Sequence, residues 1–144
     1  MNQLETKARD KFRAASDGRI KVKLIENQSG STADSACINR HGAMFWIEYK
    51  ALEAWPKRDS TLPLRDAFRP GQIPFLKEWK SWGGIGYVLL KAGADWWLLN
   101  PKPKCRLDLP QMTRQQLSDE AVISRGLDDI IDFLKELDYP KEPQ

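Results

Sequence analysis

The order of periodic segments along the chain predicts a mixed α/β fold, with a central sheet of about five strands flanked by helices. Three observations lead there. Segments of helical spacing and segments of period-two alternation follow one another as helix, three strands, helix, two strands, helix. The first three strands are close enough in sequence to form a meander, and the helix after them provides a crossover to a further strand. The length, 144 residues, suits one domain, read as residues 1–139 with a Pro-containing tail at 140–144.

Taken in order, Asn2 to Ser16 reads as a charged helix with Leu4, Ala8 and Phe12 on one stripe, ended by Asp17-Gly18. Ile20 to Ile25 alternates with period two and reads as a half-buried strand. Glu26 to Ala33 is a polar loop rich in turn-forming residues. Asp34 to Asn39 forms a short strand, Arg40-His41-Gly42 a three-residue hairpin loop with Gly42 in its left-handed position, and Phe45 to Lys50 the returning strand. Ala51 to Phe68 is an irregular basic stretch, longer than a plain connection needs. A second helix begins near Pro70, with Gln72 and Pro74 in its first turn and Phe75, Leu76, Trp79 and Trp82 on its apolar side. Gly83-Gly84 stops it. Gly86 to Lys91 and Asp95 to Asn100 are strands joined by Ala92-Gly93-Ala94, Pro101 to Pro110 is a connector, and Gly126 to Asp138 is an amphipathic helix with Leu127, Ile130, Ile131, Leu134 and Leu137 apolar.

The hairpin register carries the chemistry. If Asn39 pairs with Ala43, Asp34 falls opposite Glu48, and opposed residues share a face with β-carbons roughly 5 Å apart. A two-residue loop would slip the register and send Asp34 to the wrong face. On the returning strand Trp46, Glu48 and Lys50 share one face, while Phe45, Ile47 and Tyr49 share the other and suit a core. Two opposed carboxylates repel unless something positive lies between them, and a divalent cation is the natural occupant. On spacing alone, the same three charges are also the makings of a surface salt-bridge cluster.

Composition narrows the classes. Charged residues make up 30% and hydrophobic residues 41%, a soluble globular balance, and a net charge of +3 is compatible with nucleic acid without pointing to it. Cys37 and Cys105 make neither a disulfide framework nor a zinc site, and His41 has no accompanying ligand. No apolar run approaches membrane length and the first residues lack a signal-peptide core, so a cytoplasmic protein with no membrane partner is expected. Trp79, Trp82, Trp96 and Trp97 read as core and edge packing, leaving Trp46 and Trp55 as rings open to stacking on a base.

Asp34, the hairpin, Glu48-x-Lys50, the Gln72 helix, the Gly83-Gly84 break and the apolar run Tyr87-Val88-Leu89-Leu90 together resemble the PD-(D/E)xK nuclease superfamily. Within it the pattern is most like the small phage-type and Holliday-junction-resolvase-like endonucleases, over roughly residues 1–99. Ala33 stands where such enzymes usually carry Pro. The resemblance implies a restriction-endonuclease-like core and a metal-dependent deoxyribonuclease of a bacterial or phage-infected cell. It implies that Asp34, Glu48 and the Tyr49 carbonyl hold Mg²⁺, with Mn²⁺ able to substitute, and that Lys50 orients the attacking water. Gln72 joins them, and Glu5 or Glu26 supplies a further acid. Lys57, Arg58, Arg65, Arg69 and Trp55 become candidate DNA contacts. Resolvase-like relatives also imply a homodimer, for which Asp95 to Leu99 or the last helix offers a surface. Two other classes compete: a nuclease-fold module that holds DNA or a protein without cutting, and a glycosidase-like hydrolase. The second needs a water-spanning carboxylate pair, which acids on adjoining strands fit less well than they fit a metal.

Overall fold

The computed structural model describes residues 1–26 and 30–139, so the tail from Pro140 and part of the Glu26–Ala33 loop lie outside the described residues. One six-stranded sheet runs in sequence order: β1 (Ile20–Leu24), β2 (Ser35–Asn39), β3 (Met44–Leu52), β4 (Gly86–Ala92), β5 (Asp95–Leu99) and β6 (Ala121–Ile123). All neighbours are antiparallel except β3 and β4. That parallel pair needs a crossover, supplied by residues 53–85, which contain α2 (Gln72–Ser81).

The helices form two outer layers. On one face α1 (Gln3–Ser16) and α4 (Leu127–Lys135) bury Ala8, Phe12, Ile130, Ile131 and Leu134 against Phe45, Ile47, Tyr49 and Leu89. On the other, α2 and α3 (Arg114–Glu120) bury Ile73, Leu76 and Leu117 against Trp46, Val88, Leu90 and Trp97. The alternation expected of β3 is therefore present, one core for each set of side chains. No helix among the described residues is long and apolar enough to cross a membrane.

The β2–β3 hairpin adopts the register in which Asn39 meets Ala43: Ser35 pairs with Ile47 and Cys37 with Phe45, and Gly42 has φ +79°. Asn39 locks this turn. Its side-chain oxygen accepts from the His41 and Ala43 amides, and its amide nitrogen donates to the Leu134 and Leu137 carbonyls at the end of α4.

Several local expectations change. Leu4 is exposed, and the inward row of α1 is Glu5, Ala8, Phe12 and Ser16, because the Glu5 carboxylate finds a cation inside. β3 continues to Leu52, since β4 goes on pairing with it. The Pro101–Pro110 connector runs into a 3₁₀ turn at Leu109–Gln111, and the residues after it, to which the sequence assigned no element, form α3 and β6. β6 is three residues long and joins β5 across an irregular register, too short to show alternation. β5 is thus paired along both edges, and its two tryptophans are buried on opposite faces by the chain itself. The inward residues of α4 are equally buried against the chain's own sheet.

On α2, Lys80 rather than Trp82 points inward. Its Nζ is buried, has no hydrogen-bond partner among the described residues, and lies 5.2 Å from the centre of the Tyr87 ring. Burial, with Lys102 adding like charge, pushes its pKa down to about 7. Between that value and the ordinary 10.5 the unfolded chain binds a proton that the folded chain releases, so stability rises with pH across this window. We expect Lys80→Met to raise Tm at pH 7, by about 3–5 °C for each kcal/mol relieved, with the gain shrinking towards pH 10. Thermal melts of the two chains across that range measure it.

Candidate active site

β2 stops short of the carboxyl half of β3. Ser35 is the last residue paired across, opposite Ile47, so the Tyr49 amide has no strand to donate to on that side. The Asp34 carboxylate takes its place, with Oδ2 3.1 Å from the Tyr49 nitrogen, while the Asp34 carbonyl accepts from Ile25. Asp34 is thereby fixed beside Glu48, as the hairpin register requires.

Glu48 and Lys50 project from β3 towards the start of α2 and are almost wholly buried. Between them sits Gln72. Its Nε2 donates to both Glu48 oxygens at 3.0 and 3.1 Å, and its Oε1 accepts from Lys50 Nζ at 3.1 Å and from the Arg69 amide at 2.9 Å. Only one orientation of the amide satisfies a carboxylate on one end and two donors on the other. Lys50 Nζ also lies 3.6 Å from Glu5 Oε1 and 4.9 Å from the centre of the Phe68 ring. Each buried charge has a partner, which is what makes its burial tolerable.

Gln72 reaches this position because α2 starts hard against the loop before β2. A Cβ on Gly71 would fall 2.6 Å from the Ser31 Cβ, so glycine is needed there for close approach. The Arg69 side chain in turn lies against Gly30, where an added Cβ would fall 2.7 Å from the guanidinium.

The electrostatics are unbalanced towards negative. Burial first, then the hydrogen-bonded Asp34 carboxylate, hold the Glu48 pKa far above the usual carboxylate range, against the opposing pull of Lys50. A pair close enough to share a proton can share a cation instead. Among the described residues no group of three or more His, Cys, Asp or Glu side chains is arranged to hold a metal, and the two carboxylates in direct contact are Asp34 and Glu48. One or two carboxylates, with waters and phosphate oxygens, are donors that a hard divalent cation such as Mg²⁺ can take. The surrounding hollow, about 490 Å³, has room for a phosphodiester with its waters, and Arg9, Asp66, Phe68 and Arg69 stand among its walls.

Of the residues singled out in the sequence, Asp34, Glu48, Lys50, Gln72, Glu5 and Arg69 come together here. Tyr49 joins through its amide. Glu26 is exposed and does not line the hollow, and Lys57, Arg58 and Arg65 are exposed on the crossover away from its walls. Trp55 does not offer a free face. It packs on Trp97 at 4.6 Å, lies under the Arg114 guanidinium and donates to Asp95. Arg9, Phe68 and Gly71 were not legible as site residues. Arg9 lies two turns before the helix end with no motif around it, and only Gly71, following Pro at a helix start, left a local signal.

A six-stranded mixed sheet between two helical layers, entered at the start of α2, is a restriction-endonuclease-like fold. Among solved structures the chain is similar to Hjc of Archaeoglobus fulgidus, a Holliday junction resolvase from an archaeal hyperthermophile. The TM-score is 0.56 at 12% identity, over 90% of this chain and 98% of that one. No family model and no curated protein matches the chain. At that identity the likeness is one of fold.

Gln72→Leu should leave a carboxylate and an ammonium buried without their shared partner and cost about 2–3 kcal/mol. Urea unfolding midpoints of the two chains measure the loss, and an unchanged midpoint would show that the amide does not hold the site together.

Proposed function

We propose that this chain is a metal-dependent DNA endonuclease. The observation that carries the reading is the buried Glu48–Gln72–Lys50 network beside Asp34, at a hollow that opens to solvent between α1 and the start of α2. Paired carboxylates with one lysine alongside are the groups phosphodiester hydrolysis needs: a place for a cation, and a mobile positive charge near the nucleophile. The fold shared with a Holliday junction resolvase supports DNA, branched DNA included, as the substrate.

In this mechanism Asp34 and Glu48, with the Tyr49 carbonyl, would hold Mg²⁺ or Mn²⁺. When bound, the cation supplies charge neutralisation at the scissile phosphate and its leaving oxygen. Gln72 keeps the Glu48 carboxylate turned to one geometry by bonding both its oxygens. Lys50 Nζ, steadied by Gln72 and Glu5, orients the attacking water and stabilises the charge that gathers on phosphorus-bound oxygen. Arg9 and Arg69, on the walls of the hollow, meet the phosphates flanking the cut. Lys57, Arg58 and Arg65 extend the contact along the backbone of the duplex.

Nicking of supercoiled plasmid is expected to need Mg²⁺ or Mn²⁺ and to stop in EDTA. Glu48→Gln and Lys50→Ala should each cut at least about 10²-fold more slowly. Both should keep their circular dichroism and DNA affinity. Binding without cutting by the wild-type chain under all these conditions would instead make it a DNA-holding module.

Replacing Lys57, Arg58 and Arg65 together should weaken binding alike across sequences. The slope of log K against log salt should flatten by about 0.9 for each phosphate that is no longer neutralised. Titrations at several salt concentrations read this directly, and an unchanged slope would remove these residues from the interface.

A further inference from the structure

One stripe of α2 runs from the carboxylate hollow out to open solvent. Gln72, Phe75, Trp79 and Trp82 follow at helical spacing along a single face that continues past the last turn. Gln72 touches Glu48 and Lys50. Phe75 and Trp79 stack on each other with ring centres 5.9 Å apart, and both meet the ring of Trp46, the residue two before Glu48, edge-on at 5.2 and 5.3 Å. Beyond them Trp82 stands 85% exposed and Trp79 40% exposed. The helical rise sets Trp82 about 15 Å from Gln72, roughly four base steps of a DNA strand.

A Cβ on Gly84 would fall 2.1 Å from the Trp79 indole, so this ring lies directly on bare backbone. Gly83 and Gly84, with Phe75, Trp79 and Trp82, wall a hollow of about 610 Å³ that contains no aliphatic side chain and one charge, Glu78. Large indoles left in water, in line with the carboxylate hollow, offer ring faces on which the bases of a single strand can stack. Paired bases cannot use such a stripe, because their faces are already stacked within the duplex.

We propose that this stripe is a stacking track for unpaired bases, and that the substrate carries a short single strand beside duplex. Its bases lie along Phe75, Trp79 and Trp82 while its phosphodiester reaches Glu48 and Lys50. The proposal rests on the nuclease reading above and adds the form of the DNA. Trp82 anchors the far end, and its exposure means that removing the ring leaves the core intact.

The test is fluorescence anisotropy in EDTA, where no cutting occurs, with a plain duplex, a duplex of equal length bearing a single-stranded arm, and the same duplex with an arm of abasic sites. Trp82→Ala should weaken binding to the armed duplex about tenfold. Its affinity for plain duplex should stay within about twofold, and Trp82→Phe should recover most of the loss. For the wild-type chain, the abasic arm should reproduce the loss, since it keeps every phosphate and removes the ring faces. The proposal is overturned if Trp82→Ala loses duplex and armed DNA equally, or if the abasic arm binds as tightly as the normal one. It is also overturned if solution mass shows a dimer that Trp82→Ala converts to monomer with armed-DNA affinity unchanged, for then a second copy occupies the stripe. Failure of the wild-type chain to bind any of the three DNAs would take the nuclease reading with it. Tight duplex binding with no preference for the normal arm removes the track alone.

Discussion

Everything at the candidate site depends on one neutral amide placed among buried charges. Glu48, Lys50 and Glu5 are each less than a tenth exposed, and isolated charges at that depth would be expelled or neutralised. Gln72 supplies two donor contacts to the carboxylate and one acceptor to the ammonium without adding charge of its own. A third carboxylate in its place would add to the burial and the Asp34 charge that already raise the Glu48 pKa, and a second cation would oppose them. The amide therefore leaves a residual negative charge while satisfying the groups that carry it.

The sheet topology makes that arrangement possible. Because β3 and β4 are parallel, the chain must travel the length of the sheet between them, and it does so through the long crossover and α2. The crossover brings Phe68 over Lys50 and the Arg69 amide to Gln72 before the helix starts. A short antiparallel hairpin here would have left Glu48 and Lys50 on an open face, as the salt-bridge cluster that their spacing equally permits. The early end of β2 contributes the other half, since the unpaired Tyr49 amide is what holds the Asp34 carboxylate beside Glu48.

The carboxyl-terminal third completes the enclosure rather than adding to the site. β6 closes the edge of β5, α3 and the 3₁₀ turn cover Trp97 and Leu99, and α4 covers Trp96. With both faces of the sheet shut by the chain itself, Trp82 at the end of α2 is the most exposed large apolar group among the described residues. On that helix Lys80 takes an inward position while Trp82 lies outside.

By itself the sequence determined the elements with strong periodicity or turn chemistry. Helix α1, the hairpin with its register through Gly42, the entry to α2 with Pro74 in its first turn, and the two faces of β3 all follow from local residue order, because backbone sterics and side-chain alternation act over a few residues. Asp34, Glu48 and Lys50 could be placed on one face for the same reason, through the register, whereas Gln72 was marked as a site residue only by the resemblance to a nuclease family. Only the tertiary structure decided which acid of Glu5 and Glu26 comes to Lys50, that Phe68 and Arg9 border the hollow, that Trp55 is spent on Trp97, and that Lys80 turns inward while Trp82 turns out. Those outcomes depend on which surfaces meet across more than a dozen residues of chain, and a helical stripe of Phe, Leu, Trp and Lys does not say which member its neighbours will cover. β6 belongs with them. Three residues are too few to show a period, and it becomes a strand because β5 offers it an edge.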